Sequence, residues 1–248
     1  MSHSERFARH VALDAIGEAG QTRIGAASVM VVGVGGLGCP AALYLATSGA
    51  GRLVLNDFDV VDESNLPRQV LFRPGDVGRR KVHVAAEVLS TLRPDLSVDA
   101  LTDRLDESGF VDALKAVDIV LDCTDNFATR LVLNAACVRA RVALVSGAAL
   151  RHEGQVAVFA NQGTGPCYRC LYSEADEMLG SCQGNGVLAP VPGVIGTLMA
   201  NEALLRIATG NAPLEGRLLL WDGLRGSWQS LGLQADPDCP VCSRRTPG

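Results

Sequence analysis

Short apolar runs rich in β-branched residues recur along the first 150 residues: ASVMVVGVGG (27–36), RLVLND (52–57), SVDAL (97–101), DIVLDC (118–123) and VALVSG (142–147). Each is too short for a helix and ends in glycine or polar residues, the pattern of a buried strand. Between them lie stretches of helical period. LGCPAALYLATSGAG (37–51) reads as a helix stopped by glycine, and RKVHVAAEVLSTL (80–92) sets Val82, Ala85, Ala86, Leu89 and Leu92 on one face. SNLPRQVLF (64–72) reads as loop and residues 4–19 as a helical arm. Strands alternating with helices predict a parallel sheet covered on both faces. After Gly147 the rhythm changes. GQVAVFA (154–160), RLLLWD (217–222) and SWQSLGL (227–233) read as antiparallel strands, with a helix at about 193–209 between them. The expectation is one α/β domain. It divides into an N-terminal helical arm (1–25), a mostly parallel half (26–150) and a mixed half (151–248) that continues the same sheet.

Composition narrows the classes. The chain has 248 residues, 48% hydrophobic and 20% charged, which excludes a dominantly disordered chain. The formal net charge of −5 argues against nucleic-acid binding through a broad basic surface. The opening MSHSERFARH has no apolar leader segment. The most apolar stretch, 186–205, is interrupted by Pro190, Pro192, Asn201 and Glu202, so a short loop entering a buried helix is expected rather than a membrane span. A cytoplasmic protein with no membrane partner is the expectation.

Candidate chemistry gathers at predicted strand ends. Gly33-Val34-Gly35-Gly36-Leu37-Gly38 is a GxGxxG between a strand and a helix, the Rossmann-like arrangement that brings backbone N–H groups close to a phosphate. Asp57 stands about 20 residues on, where a carboxylate accepts ribose hydroxyls, and Asp59 competes for that role. Asp122-Cys123-Thr124-Asp125-Asn126 follows another strand. Asp125 suits Mg²⁺, and helix capping by Asp125 or Asn126 is the plainer reading. Arg68 and Lys81 lie downstream of the Asp57 strand, and Arg9 lies in the arm. Several cations around one phosphate site serve nucleotidyl transfer better than hydride transfer. An NAD(P)-dependent oxidoreductase on the same glycine loop, or a non-catalytic nucleotide-binding scaffold stapled by zinc, are the alternatives.

Cys167-Tyr-Arg-Cys170 and Cys239-Pro-Val-Cys242 are two CxxC pairs, the spacing of a closed Cys₄ zinc site, with a redox pair as the alternative. Cys182, in the glycine-rich stretch GSCQGNGV (180–187), is either a nucleophile or an ordinary loop thiol. Cys39, Cys123 and Cys137 fall in apolar contexts and are expected in the core.

GVGGLG, NDFD, SNLPRQ, DVGRRK, DCTDN, SGAALRHEGQ, CYRCL, GVIGTL and CPVC occur in this order over nearly the whole chain. In this the sequence resembles the bacterial MoeB/ThiF adenylyltransferases, relatives of ubiquitin-activating enzymes. The resemblance implies that ATP and Mg²⁺ are used to adenylate the C-terminal glycine of a small ubiquitin-like sulfur carrier ending in Gly-Gly, MoaD- or ThiS-like. It implies that Gly36 lies in the nucleotide loop and that Asp57 holds the ribose. It further implies that Ser64, Asn65, Arg68 and Lys81 contact phosphates, that Asp125 binds Mg²⁺, and that Asn126 lies beside the nucleotide. Arg9 is implied as a finger supplied across a homodimer. Cys167, Cys170, Cys239 and Cys242 are the implied zinc ligands, and Cys182 matches a loop cysteine that joins the carrier in ThiF-like members. His10 departs from the glutamine expected after the arginine. The chain ends six residues past Cys242, so the sulfur is expected from a separate donor.

Overall fold

The computed structural model describes residues 3–172 and 186–243. Its centre is an eight-stranded sheet: β1 (Ser28–Val32), β2 (Arg52–Asn56), β3 (Ser97–Leu101), β4 (Ile119–Asp122), β5 (Ala143–Leu150), β6 (Glu153–Phe159), β7 (Arg217–Asp222) and β8 (Ser227–Gly232). The spatial order is β3-β2-β1-β4-β5-β6-β7-β8. The first five strands pair in parallel and the last three antiparallel, as the change of rhythm after Gly147 predicts.

The helices are α1 (His3–Arg6), α2 (Ala8–Val11), α3 (Gly17–Ala26), α4 (Gly38–Thr47), α5 (Lys81–Leu92), α6 (Glu107–Leu114), α7 (Phe127–Ala140), α8 (Tyr168–Leu171) and α9 (Pro190–Thr209). Alternate residues of each central strand feed opposite cores. Val29 and Val31 pack with Leu45, Leu89 and Met199, from α4, α5 and α9. Met30 and Val32 pack with Phe110, Leu114 and Leu133, from α6 and α7. Both faces of the sheet are therefore sealed at β1, β2 and β4, which is why those strand sequences are apolar without alternation.

Three expectations need correction. The arm is not one helix over 4–19. Its helices break at Phe7, and the last runs from Gly17 to Ala26. Phe7 turns inward and is buried under the Arg93 guanidinium, and Gly17 has positive φ (+56°), so each interrupts the helical path. Leu92 is exposed at the end of α5, and Val84 takes the buried place instead. β5 continues to Leu150, because β6 folds back on it in register through Leu150↔Glu153.

The parallel order reverses at β1 and β4. From β1 the chain moves outward to β2 and β3, then returns to place β4 on the other side of β1. The loops after β1 and β4 therefore leave in opposite directions and open a crevice at the carboxyl edge, where ligands bind in open α/β sheets. β6–β8 extend the same edge, since the 150–153 and 222–227 connections lie on that side.

Candidate active site

The crevice encloses about 470 Å³ and is lined by Gly33, Gly35 and Gly36, by Asp57 and Asp59, by Arg68 and Lys81, and by Thr124, Asp125 and Asn126. The loop from Gly33 is shaped by contact. Gly33 has φ +87°, and a Cβ there would meet the Cys123 carbonyl at 2.8 Å. A Cβ on Gly38 would lie 1.9 Å from the Gly33 carbonyl oxygen. Only glycine lets the turn fold over itself before α4 begins.

Asp57 is buried at the end of β2. The Val34 N–H donates to its Oδ2 (2.7 Å) and the Asp59 N–H to its Oδ1 (2.8 Å), so it braces the glycine loop while facing the cavity. Burial pushes its carboxyl above the ordinary carboxylate value, against the pull of Lys81 and of both amides. Asp59 is exposed and takes a different part, accepting from Lys81 Nζ at 3.0 Å. Lys81 is itself buried at the first turn of α5. Arg68 donates to the Ser64 carbonyl (2.9 Å).

The loop after β4 divides its labour. Asn126 is the N-cap of α7, accepting from the Thr129 N–H at 2.9 Å. The plainer reading of Asp125 as a cap therefore fails. Its carboxylate is exposed and has no hydrogen-bond or ion-pair partner among the described residues. A free carboxylate on the wall of the same cavity as Arg68, Lys81 and the glycine loop is the donor expected of a hard-cation site.

Ser64 and Asn65 do not join the lining. They form a short 3₁₀ turn, in which the Ser64 hydroxyl is turned to Asp62 Oδ1 at 2.6 Å. Arg9 is exposed on α2 and lies outside the lining. Phe7 and His10 pin its arm down: His10 Nδ1 meets Gln21 Oε1 at 3.0 Å, and Gln21 donates to the Ser48 carbonyl. Cys182 lies outside the described residues.

Sequence reasoning missed three lining residues. Arg104 stacks its guanidinium 4.2 Å over the Phe58 ring at the cavity wall. Gln69 is buried there. Arg130 is buried on α7 and reaches back to the Thr124 carbonyl and to Gly147 O (2.8 Å). It stands four residues past the cap, and its partners are set by tertiary contacts that leave no signal in the local sequence. A second groove of about 630 Å³ shares Asp125, Arg130 and Ala148–Leu150 with the first and extends past Gln155, Tyr172, Trp221 and Arg225.

Away from the crevice, the Sγ atoms of Cys167, Cys170, Cys239 and Cys242 lie within 4.8 Å of one another. The contacts Cys167–Cys170, Cys167–Cys239 and Cys170–Cys242 measure 3.9, 3.7 and 3.4 Å. These are far longer than a disulfide. They match the edge of about 3.8 Å that follows from a tetrahedron of metal–sulfur bonds near 2.3 Å. Burial works against ionising Cys239, yet the N–H groups of Cys242 and Val241 hold its thiol below the ordinary value, toward the thiolate a metal needs. Cys39, Cys123 and Cys137 are buried, as expected.

The ThiF family model matches residues 7–241. The chain belongs to the ThiF family. Among ThiF-family relatives, it is 44% identical over 237 residues to the Sulfur carrier protein ThiS adenylyltransferase of Escherichia coli, covering 96% of this chain and 94% of that one. It is 41% identical over 239 residues to the Molybdopterin-synthase adenylyltransferase of Salmonella typhimurium, covering 96% of each. Its fold also matches the crystal structure of E. coli MccB with MccA-N7isoASN. There the TM-score is 0.84 at 23% identity, over 98% of this chain and 76% of that one. The family match spans the crevice and three of the four cluster cysteines, Cys167, Cys170 and Cys239.

Proposed function

We propose that the chain adenylates the C-terminal glycine carboxylate of a small ubiquitin-like sulfur-carrier protein, using ATP. The observation that carries this reading is a pair of neighbouring cavities at the carboxyl edge that share Asp125, Arg130 and Ala148–Leu150 in their linings. A crevice of about 470 Å³ with Gly36, Asp57, Arg68, Lys81 and Asp125 on its walls suits a nucleotide, and the adjoining groove of about 630 Å³ suits an extended peptide tail. The relatives named as adenylyltransferases support the same chemistry.

In this reading Asp57 takes the ribose, the loop around Gly36 the phosphates, and Asn126 stands beside the nucleotide. Ser64 and Asn65 would reach the phosphates only after their turn moves. A carboxylate oxygen of the tail attacks the α-phosphorus, and the bond from that phosphorus to the bridging oxygen breaks. Pyrophosphate leaves with the electron pair. The nucleophile is already ionised near neutral pH, so positioning and charge balance carry the rate. Arg68 and Lys81 offset the charge on the departing group. Mg²⁺, held by Asp125, would supply further Lewis-acid stabilisation. Arg9 acts as a finger from the partner of a homodimer. The four cysteines hold Zn²⁺, and a separate donor brings the sulfur that displaces AMP. Cys182 receives no step in adenylation, and C182A is expected to leave it intact.

The test is ATP–pyrophosphate exchange with candidate carriers. Exchange that depends on a carrier ending in Gly-Gly supports the reading. Tight NADH binding with no exchange supports an oxidoreductase, and ATP binding without exchange supports a scaffold.

A further inference from the structure

The exit of β3 is tied to the end of β2 immediately beside Asp57. The Asp57 N–H donates to the Leu101 carbonyl at 3.1 Å. The buried Asn56 side chain donates to the same carbonyl (3.2 Å) and to that of Asp103 (3.0 Å). Residue 104 is thereby delivered over Phe58, the residue after Asp57, and the Arg104 guanidinium carbon lies 4.2 Å from the centre of that ring. The buried arginines Arg93 and Arg130 are fastened to backbone carbonyls. Arg104 is exposed on the crevice wall, and among the described residues it makes no hydrogen bond or ion pair. One face of its plane rests on an aromatic ring, and no carboxylate or carbonyl claims its edges.

The sheet order gives this plane a place along a bound nucleotide. The glycine loop leaves β1, Asp57 follows β2 and Arg104 follows β3, and these strands are neighbours in that order. With phosphates on the glycine loop and the ribose at Asp57, the base falls one strand further out, against the 103–105 segment. Leu105 and Phe110 add apolar wall to the same crevice. We propose that Arg104, backed by Phe58, is the stacking platform for the nucleotide base and so a specificity residue for the nucleotide. The inference deepens the adenylation reading above and rests on it. A guanidinium is planar, weakly hydrated and cationic, so it stacks on π systems where an ammonium cannot. Such a platform reads flat aromatic area rather than the hydrogen-bonding edge of the base.

The test separates the base from the rest of the nucleotide. The full-length protein is titrated by calorimetry with ATP–Mg²⁺ and with ribose 5′-triphosphate–Mg²⁺, which keeps sugar and phosphates and lacks the base. Wild type, R104A and R104K are compared, and because the residue is exposed neither substitution opens the core. R104A is expected to bind ATP about tenfold more weakly, the scale of one lost base stack, and to bind ribose 5′-triphosphate as wild type does. R104K keeps the charge without the plane and is expected to lose most of the same factor. Unchanged ATP affinity in R104A overturns the proposal. An equal loss for both ligands overturns it too, since that marks a phosphate contact or a displaced loop, and so does full rescue by R104K. No ATP binding by wild type removes the adenylation reading and this proposal with it, whereas ATP binding that ignores both substitutions removes only this one.

Discussion

Asp125 carries the sharpest residue-scale prediction, because α7 is already capped by its neighbour Asn126. D125N is expected to lower carrier-dependent pyrophosphate exchange by at least about 100-fold, the scale of one lost electrostatic contact to a developing charge. Its thermal midpoint should stay unchanged; a fall of several degrees would restore a structural role. Asp125, Asp57 and Lys81 were legible in the sequence because each stands beside a predicted strand end or helix start. The choice between Asp57 and Asp59 was not, since it depends on which carboxylate turns inward to Val34 and which meets Lys81 across 22 residues. Arg130 was invisible for a related reason. Its partners lie at positions 124, 146 and 147, and no local period reports a buried cation that holds carbonyls.

At the scale of elements, helix α6 offers a pH test. Its N-cap Asp106 accepts from the Gly109 N–H (2.7 Å) and the Ser108 hydroxyl, which hold its carboxyl below the ordinary range. A depressed folded value means the stabilisation is present above the unfolded value of about 4 and is lost as pH falls below it. D106N is therefore expected to flatten the part of the acid-unfolding curve below about pH 4, read by urea titration at several pH values. The cysteine cluster offers another test. C239A should release the bound metal, measured by elemental analysis, with a stability loss on the order of several kcal/mol. The two CxxC pairs announced the cluster although 72 residues separate Cys167 from Cys239, because ligand spacing is local even when the site is not. The N-terminal arm shows the opposite case. Its helical pattern is local, but the burial of Phe7 against Arg93 decides where it breaks.

For the whole molecule, Arg9 is exposed and lies outside the crevice of its own chain, so its proposed role requires a second copy. R9A and D125N proteins should each be inactive alone. Mixed with subunit exchange, they should recover about a quarter of wild-type exchange, since half the dimers are mixed and each has one intact site. No recovery in demonstrably mixed dimers would place Arg9 elsewhere. The architecture was legible down to the switch from parallel to antiparallel pairing, because both sheet types leave their own hydrophobic rhythm. The adjacency of the two cavities was not, since it is made by Asp125, Arg130 and Ala148–Leu150, which line both. The chain contains two tryptophans, Trp221 and Trp228, and their rings stack at 5.6 Å on neighbouring strands, with Trp221 on the wall of the longer groove. The molecule thus carries its own optical gauge: a guest entering that channel should shift the ultraviolet emission of this indole pair, without any dye attached.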